Sequence, residues 1–271
     1  MEQSFMQNKS RELRRDTMNC IASIGVGHIG GALSIVDILT VLYYEVMNVD
    51  PKNPQMEGRD RFVLSKGHGG PAVYSVLADK GFFPKSELNT LNLLGTNLPS
   101  HCDMLRTPGI DMTAGSLGQG FSCAVGIAIG SKIKKDGSFV YAIIGDGESQ
   151  EGIIWEAAMY AAQKELDNLI AFSDLNVYQI DGAVKDINSL GDVKAKWESF
   201  GWNTQEIDGH DHTAILNAIE KAKTVKGKPH MILAHTIKGK GVSYIEQAGA
   251  TNHNMPITKE QLEIALAELA D

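Results

Sequence analysis

The stretch FVYAIIGDGESQEGIIWEAAMYAAQKELDNLIAFSDLN, residues 139–176, decides the fold. Phe139 to Ile144 is an unbroken apolar run, the pattern of a strand buried on both faces of a parallel sheet. Gly145-Asp146-Gly147 reads as a tight turn, Glu151 to Lys164 as a helix, and Leu169 to Phe172 as a second short strand. Strand, turn, helix and strand in so few residues make a βαβ unit with a right-handed crossover.

The same alternation continues outward. Towards the C-terminus lie a strand near Trp202 to Ile207, a helix from Asp211 to Val225, a strand from Met231 to Thr236 and an amphipathic helix from Ile257 to Ala270. Towards the N-terminus, Phe121 to Lys134 is rich in Ala, Gly and Ile, as expected of a helix lying close on a sheet. Before it come the loop Leu98 to Met112, a helix from about Ala72 to Lys80, and a strand Arg61 to Ser65 that ends in Gly67-His68-Gly69-Gly70. Pro51 and Pro54 mark a further loop, and Lys9 to Ile24 has helical spacing ahead of the glycine-rich turn Gly25 to Gly31. A helix is expected to open at Ser34, with Asp37 as its capping-box partner. With no repeat, low-complexity tract or linker, residues 1–271 read as a single α/β domain: a doubly wound, mainly parallel sheet with helices on both faces.

Composition narrows the function. Of 271 residues, 33 are acidic and 25 basic, for a formal charge of -8, which argues against the basic footprint that nucleic acid or an anionic membrane requires. The basic cluster Arg11 to Arg15 reads as a solvated helix face. Cys20, Cys102 and Cys123 stand among apolar or small neighbours and form no C-x-x-C pair, as buried reduced thiols would. Met1 to Ser10 is polar, unlike a signal peptide, and Leu33 to Met47 is interrupted by Asp37, Thr40 and Glu45, as in a buried helix rather than a membrane span. These features lead us to expect a soluble cytoplasmic protein.

Ligands of an open parallel sheet collect at the carboxyl ends of its strands. Asp146 stands at one such end, between two glycines, and Asn176 follows 30 residues later just beyond the next. A carboxylate, an amide oxygen and a nearby backbone carbonyl, such as that of Tyr178, are hard oxygen donors. They suit Mg2+, whose remaining positions water and phosphate oxygens fill. Gly-Asp-Gly alone is a common turn; the matching Asn176, with Ile180-Asp181-Gly182 after it, favours the metal-diphosphate reading.

GDGESQEG (145–152), Asn176 and the trailing IDG (180–182) resemble the thiamine-diphosphate motif of transketolases. The resemblance covers almost the whole chain, through VGHIGGALS (26–34), DRFVLSKGHGGPAVYSVL (60–77), LPSH (98–101), TAGSLGQG (113–120) and TIKGKG (236–241), in the family's order. It implies a thiamin diphosphate-binding fold, specifically its diphosphate-binding domain. It also implies thiamine diphosphate as cofactor with Mg2+, or Ca2+ or Mn2+ in its place. By this resemblance Asp146, Asn176 and the Tyr178 carbonyl hold the cation, and Gly147 lies against the diphosphate. His68 and Lys238 contact the diphosphate or its surroundings, while Gly115, Ser116 and Leu117 line the cofactor near its aminopyrimidine. His28, His101 and His253 face the substrate's C1 and C2 oxygens, and Glu151 meets the partner that completes the site. Moving protons near neutral pH is work suited to histidine. His210, His212, His230 and His235 are read as structural, and Asp181 and Asp208 as turn residues.

Nothing in the chain resembles the family's pyrimidine-binding and C-terminal domains, which are therefore expected on a partner chain. The expectation is the N-terminal subunit of a split transketolase, active only with its C-terminal subunit in an α2β2 assembly. It would transfer a two-carbon ketol group between sugars, which could be phosphorylated, branched or sulfonated. Two alternatives stand beside it. One is the equivalent subunit of a 2-oxo acid dehydrogenase or deoxyxylulose phosphate synthase; SKGH at 65–68 and QEG at 150–152 speak against it. The other is a non-catalytic cofactor-binding subunit, against which stand Asp146, Asn176, His28, His68 and His101 together.

Overall fold

The computed structural model describes residues 3–270. Strands β1 (Arg61–Leu64), β2 (Val140–Gly145), β3 (Leu169–Leu175), β4 (Asn203–Asp208) and β5 (His230–His235) form a five-stranded sheet. Its order is β1-β2-β3-β5-β4, and each neighbouring pair is parallel. The apolar runs at 139–144 and 169–172 are thus two adjacent central strands, as their continuous hydrophobicity requires. β4, at the edge, is only half-buried and correspondingly more polar.

Successive side chains of a strand point to opposite faces, and the core divides accordingly. Tyr141, Ile143, Ile170, Phe172 and Ile232 pack on one side with α1 (Gln3–Ala22), α2 (Ile29–Leu33), α3 (Val36–Val41) and α4 (Gly70–Lys80). Val140, Ala142, Ile144, Ala171 and Leu233 pack on the other with α5 (Gln119–Lys134), α6 (Gly152–Gln163) and α7 (Val193–Ser199). The first layer also holds α8 (His212–Thr224) and α9 (Lys259–Glu268). Helices therefore cover both faces of the sheet.

Four local expectations change. The run from Leu33 is broken at Ser34 and Ile35 into α2 and α3, and α3 continues as a π-helical turn over Leu42–Val46. By length and composition the window Ile29–Val46 could cross a membrane, yet 83% of it is buried inside the fold. Ser34 and Asp37 form no capping box, because both side chains turn inward: Ser34 Oγ donates to Asp174 at 2.8 Å and Asp37 pairs with Arg14 at 2.6 Å. That pairing buries Arg14 in the middle of the supposedly solvated basic cluster. Cys20 and Cys102 are buried, their thiols pushed up to about 12 chiefly by burial, while Cys123 is half-buried; all three are free. Of the polar N-terminal segment, residues 3–10 are helical; Met1 and Glu2, like Asp271, lie outside the described residues.

Phe172 is wholly buried on the central strand β3. Phe172→Ala should cost about 3–5 kcal/mol in urea unfolding; a loss below about 1 kcal/mol would be that of a surface site and would contradict this packing.

Candidate active site

Strand register gathers the site. Gly145 lies opposite Asp174, and Asp174 opposite Ala234. Asp146, Asn176 and Lys238 therefore leave the sheet at the same carboxyl edge, and Lys66 to His68 follow β1 there. The turn at Gly67–Gly69 comes so close to the 113–120 loop that a Cβ on Gly67 would lie 2.2 Å from the Ala114 carbonyl. Glu148 ties that loop to β2: its buried carboxylate accepts from Gly118 N at 2.7 Å, from Gly145 N at 2.9 Å and from Ser65 Oγ.

Asp146 is 4% exposed; its Oδ1 accepts from Gly147 N at 2.8 Å and its Oδ2 from Val177 N at 2.6 Å. Asn176 donates through Nδ2 to Asp174 Oδ2 at 2.8 Å, which fixes the orientation of the amide. The amide oxygen accepts from Tyr178 N at 3.2 Å. Between them Val177 adopts φ +64°, a left-handed conformation that a β-branched residue takes only under constraint. The bonds at Val177 N and Tyr178 N supply that constraint. Burial, and then the neighbouring Asp174 charge, push the Asp146 carboxyl up to about 7.

Positive groups face these acids. Lys66 Nζ lies 2.6 Å from Asp174 and donates to the Gly31 carbonyl at 2.6 Å, in a pair sealed from solvent. Burial brings the Lys238 ammonium down to about 8, with the Lys66 charge adding to the effect, and Nζ lies 3.4 Å from His253 Nδ1. Four imidazoles from four separate segments meet beside them. His28, the residue preceding α2, stands 5.6 Å from His68, 5.6 Å from His101 and 5.3 Å from His253 between ring centres. His68 and His253 are 4.8 Å apart. All four are held below the ordinary histidine value, first by burial; for His28, His68 and His253, neighbouring cationic or imidazole groups add to it. His253 falls to about 3.

A cavity of about 340 Å³ opens between the acids and the imidazoles. His28, His68, His101, His253, Gly115, Leu117, Asp146, Gly147, Glu151, Asn176, Tyr178 and Lys238 line it, so all but one of the residues singled out above meet at this place. The exception is Ser116, which is exposed beside the lining residues Gly115 and Leu117. Glu151 is exposed at the cavity wall. Lys66, Glu148 and Gln150 also line the cavity, and Asp174 lies beneath it against Lys66, though none of the four is expected there from the sequence. A polar Asp closing an apolar strand, and a Lys within the quoted SKGH, are the available signals for Asp174 and Lys66. Asp181 sits in the two-residue turn of a small hairpin, as expected, and also lines the cavity.

A family model described as "Transketolase, thiamine diphosphate binding domain" matches residues 5–269. This chain belongs to the transketolase family. A 6-deoxy-6-sulfo-D-fructose transketolase subunit of Clostridium sp. (strain MSTE9) is 54% identical over 99% of this chain and 97% of its own length. An apulose-4-phosphate transketolase subunit of Phocaeicola vulgatus is 38% identical over 100% of this chain and 96% of its own. The solved transketolase of Campylobacter jejuni superposes with a TM-score of 0.92 at 33% identity, covering 99% of this chain. This chain spans only 43% of that transketolase.

The residues present fit the transketolase cofactor. The oxygen donors at the strand tips, on an acid that resists ionisation when buried beside another acid, suit a divalent cation that relieves the repulsion. Lys238 and His68 offer donors to an anionic diphosphate next to it.

The depressed imidazoles make stability depend on pH. Below the unfolded histidine value the unfolded chain binds protons that the folded chain refuses, so stability falls as pH drops from about 7 to 5. Asp146 acts with the opposite sign, because the folded chain gains its proton first. His253→Asn should flatten the acid side of the pH–stability profile in urea unfolding; an unchanged slope would mean that its imidazole is solvated.

Proposed function

We propose that this chain is the cytoplasmic diphosphate-binding subunit of a two-chain transketolase, transferring a two-carbon ketol group from a ketose to an aldose. The observation that carries the reading is the meeting of Asp146 and Asn176 with His28, His68, His101, His253 and Lys238 around one cavity. When bound, thiamine diphosphate supplies a nucleophilic carbon able to take up and release a ketol unit. Asp146, Asn176 and the Tyr178 carbonyl hold Mg2+, and Gly147, His68 and Lys238 hold the diphosphate. Uncharged at neutral pH, the imidazoles of His28, His101 and His253 can both donate and accept, which suits them to bind sugar hydroxyls and pass protons to and from the carbonyl oxygen.

The need for a partner is supported by the two relatives described as subunits, each matched over nearly its whole length. In this reading residues 1–271 form one domain, the pyrimidine-binding and C-terminal domains lie on the partner, and Glu151 meets it, in an α2β2 assembly. Unpaired cysteines suit the reducing cytoplasm. The 54% identity to the 6-deoxy-6-sulfo-D-fructose transketolase subunit makes a sulfonated ketose the favoured donor, ahead of apulose-4-phosphate.

Asp146→Ala should abolish Mg2+-dependent binding of thiamine diphosphate in calorimetry; undiminished affinity would refute the cation assignment. His28→Ala should lower turnover of the assembled enzyme about 100-fold or more with little change in cofactor affinity. Equal losses in both would contradict a substrate-facing role.

A further inference from the structure

We propose that Arg14, Asp37 and His210 are positioning residues for Lys238, acting through the backbone strap that carries it. The proposal rests on the reading that Lys238 faces the diphosphate. After β5 the chain runs through Ile237–Gly241 without joining a sheet or helix, yet each of these residues is tied to a different part of the fold. Ile237 N donates to His210 Nε2 at 2.8 Å, and the Lys238 carbonyl accepts from Asn252 Nδ2 at 3.1 Å. Gly239 N donates to the Gly30 carbonyl at 2.9 Å, and the Lys240 carbonyl accepts from Arg14 Nε at 3.0 Å. Gly241 N donates to Glu246 at 2.7 Å. Gly239, at φ +89°, makes the turn between these anchors, where a Cβ would lie 2.5 Å from the Ile245 side chain.

The anchors on either side of Lys238 share one carboxylate. Asp37, 3% exposed, receives Arg14 Nη1 at 3.1 Å and Nη2 at 2.6 Å, a bidentate pair, and His210 Nδ1 lies 2.7 Å away. Because His210 Nε2 accepts from Ile237, the ring proton is on Nδ1 and points at Asp37. His212 Nε2 stands 3.2 Å from the same carboxylate and 2.8 Å from Ser10 Oγ. Arg14 on α1, Asp37 on α3 and His210 ahead of α8 thus grip positions 240 and 237 together. Lys238 is 4% exposed and makes no ion pair among the described residues, so the strap beneath it sets where its charge sits.

A double-mutant cycle on the full chain tests this, with thiamine diphosphate affinity in Mg2+ read by calorimetry. His210→Ala and Lys238→Ala should each weaken binding about tenfold or more, and the double variant should be no weaker than Lys238→Ala within about twofold. In the cofactor-free chain, amide exchange across 236–241 should quicken in His210→Ala and return towards wild type in His210→Gln, whose oxygen offers Ile237 an acceptor. Arg14→Lys, which loses the fork but keeps the charge, runs the same cycle if His210→Ala fails to fold. Losses that multiply in the double variant, or unchanged affinity and exchange in His210→Ala, would overturn the proposal. Unchanged affinity in Lys238→Ala would instead overturn the reading of Lys238 on which it rests.

Discussion

One buried carboxylate organises the site. Asp174, at the end of the central strand β3, is wholly buried and accepts from side chains of four segments. Lys66 follows β1, Ser34 closes α2, Asn176 follows β3 and Thr236 follows β5. Burial alone would raise its carboxyl, but the charge of Lys66 and the hydrogen bonds it receives take it below the ordinary value. Removing one partner of such a pair leaves an uncompensated buried charge, so the arrangement holds as a unit. Its effect is geometric: the Asn176 amide is oriented, the turn bearing His68 is pinned beneath, and the β5 exit that leads to Lys238 is fixed.

Around this anchor the electrostatics are divided. On one side Asp146 and Asn176 present oxygens beside the buried Asp174 charge, a repulsion that the proposed divalent cation would relieve. On the other, burial keeps four imidazoles below their usual proton affinity, helped at His28, His68 and His253 by neighbouring cationic or imidazole groups. Lys238 stands between the two sets. In the proposed reading the oxygen end takes the metal-bound diphosphate and the imidazole end the reacting oxygens of the sugar, and the strain at Val177 accompanies the sharp bend of the chain at the oxygen end.

Much of this was legible in the sequence, for physical reasons. Continuous apolar runs admit few environments other than a two-sided sheet, so β2 and β3 could be read directly, and the spacing of Asp146 and Asn176 followed from the crossover between them. Motif resemblance carried the histidines, because nothing local foretells that His28, His68, His101 and His253 converge from four segments. What escaped were groups whose role depends on long-range partners. Arg14 looked like surface charge and Asp37 like a cap until folding brought them together with His210. Lys66 and Asp174 lie 108 positions apart in sequence and meet only through the order of the sheet. Ser116, given a cofactor contact by resemblance, is exposed and lies between Gly115 and Leu117, which line the cavity.

The central claim is that the tips of β2 and β3 jointly hold a cation for the cofactor's diphosphate. The most direct measurement is a crystal structure grown with thiamine diphosphate and Mn2+, with the ion located by its anomalous scattering. The account predicts a single peak bridging Asp146, Asn176 and the diphosphate oxygens. A peak elsewhere, or diphosphate bound with no ion at those two side chains, would contradict it.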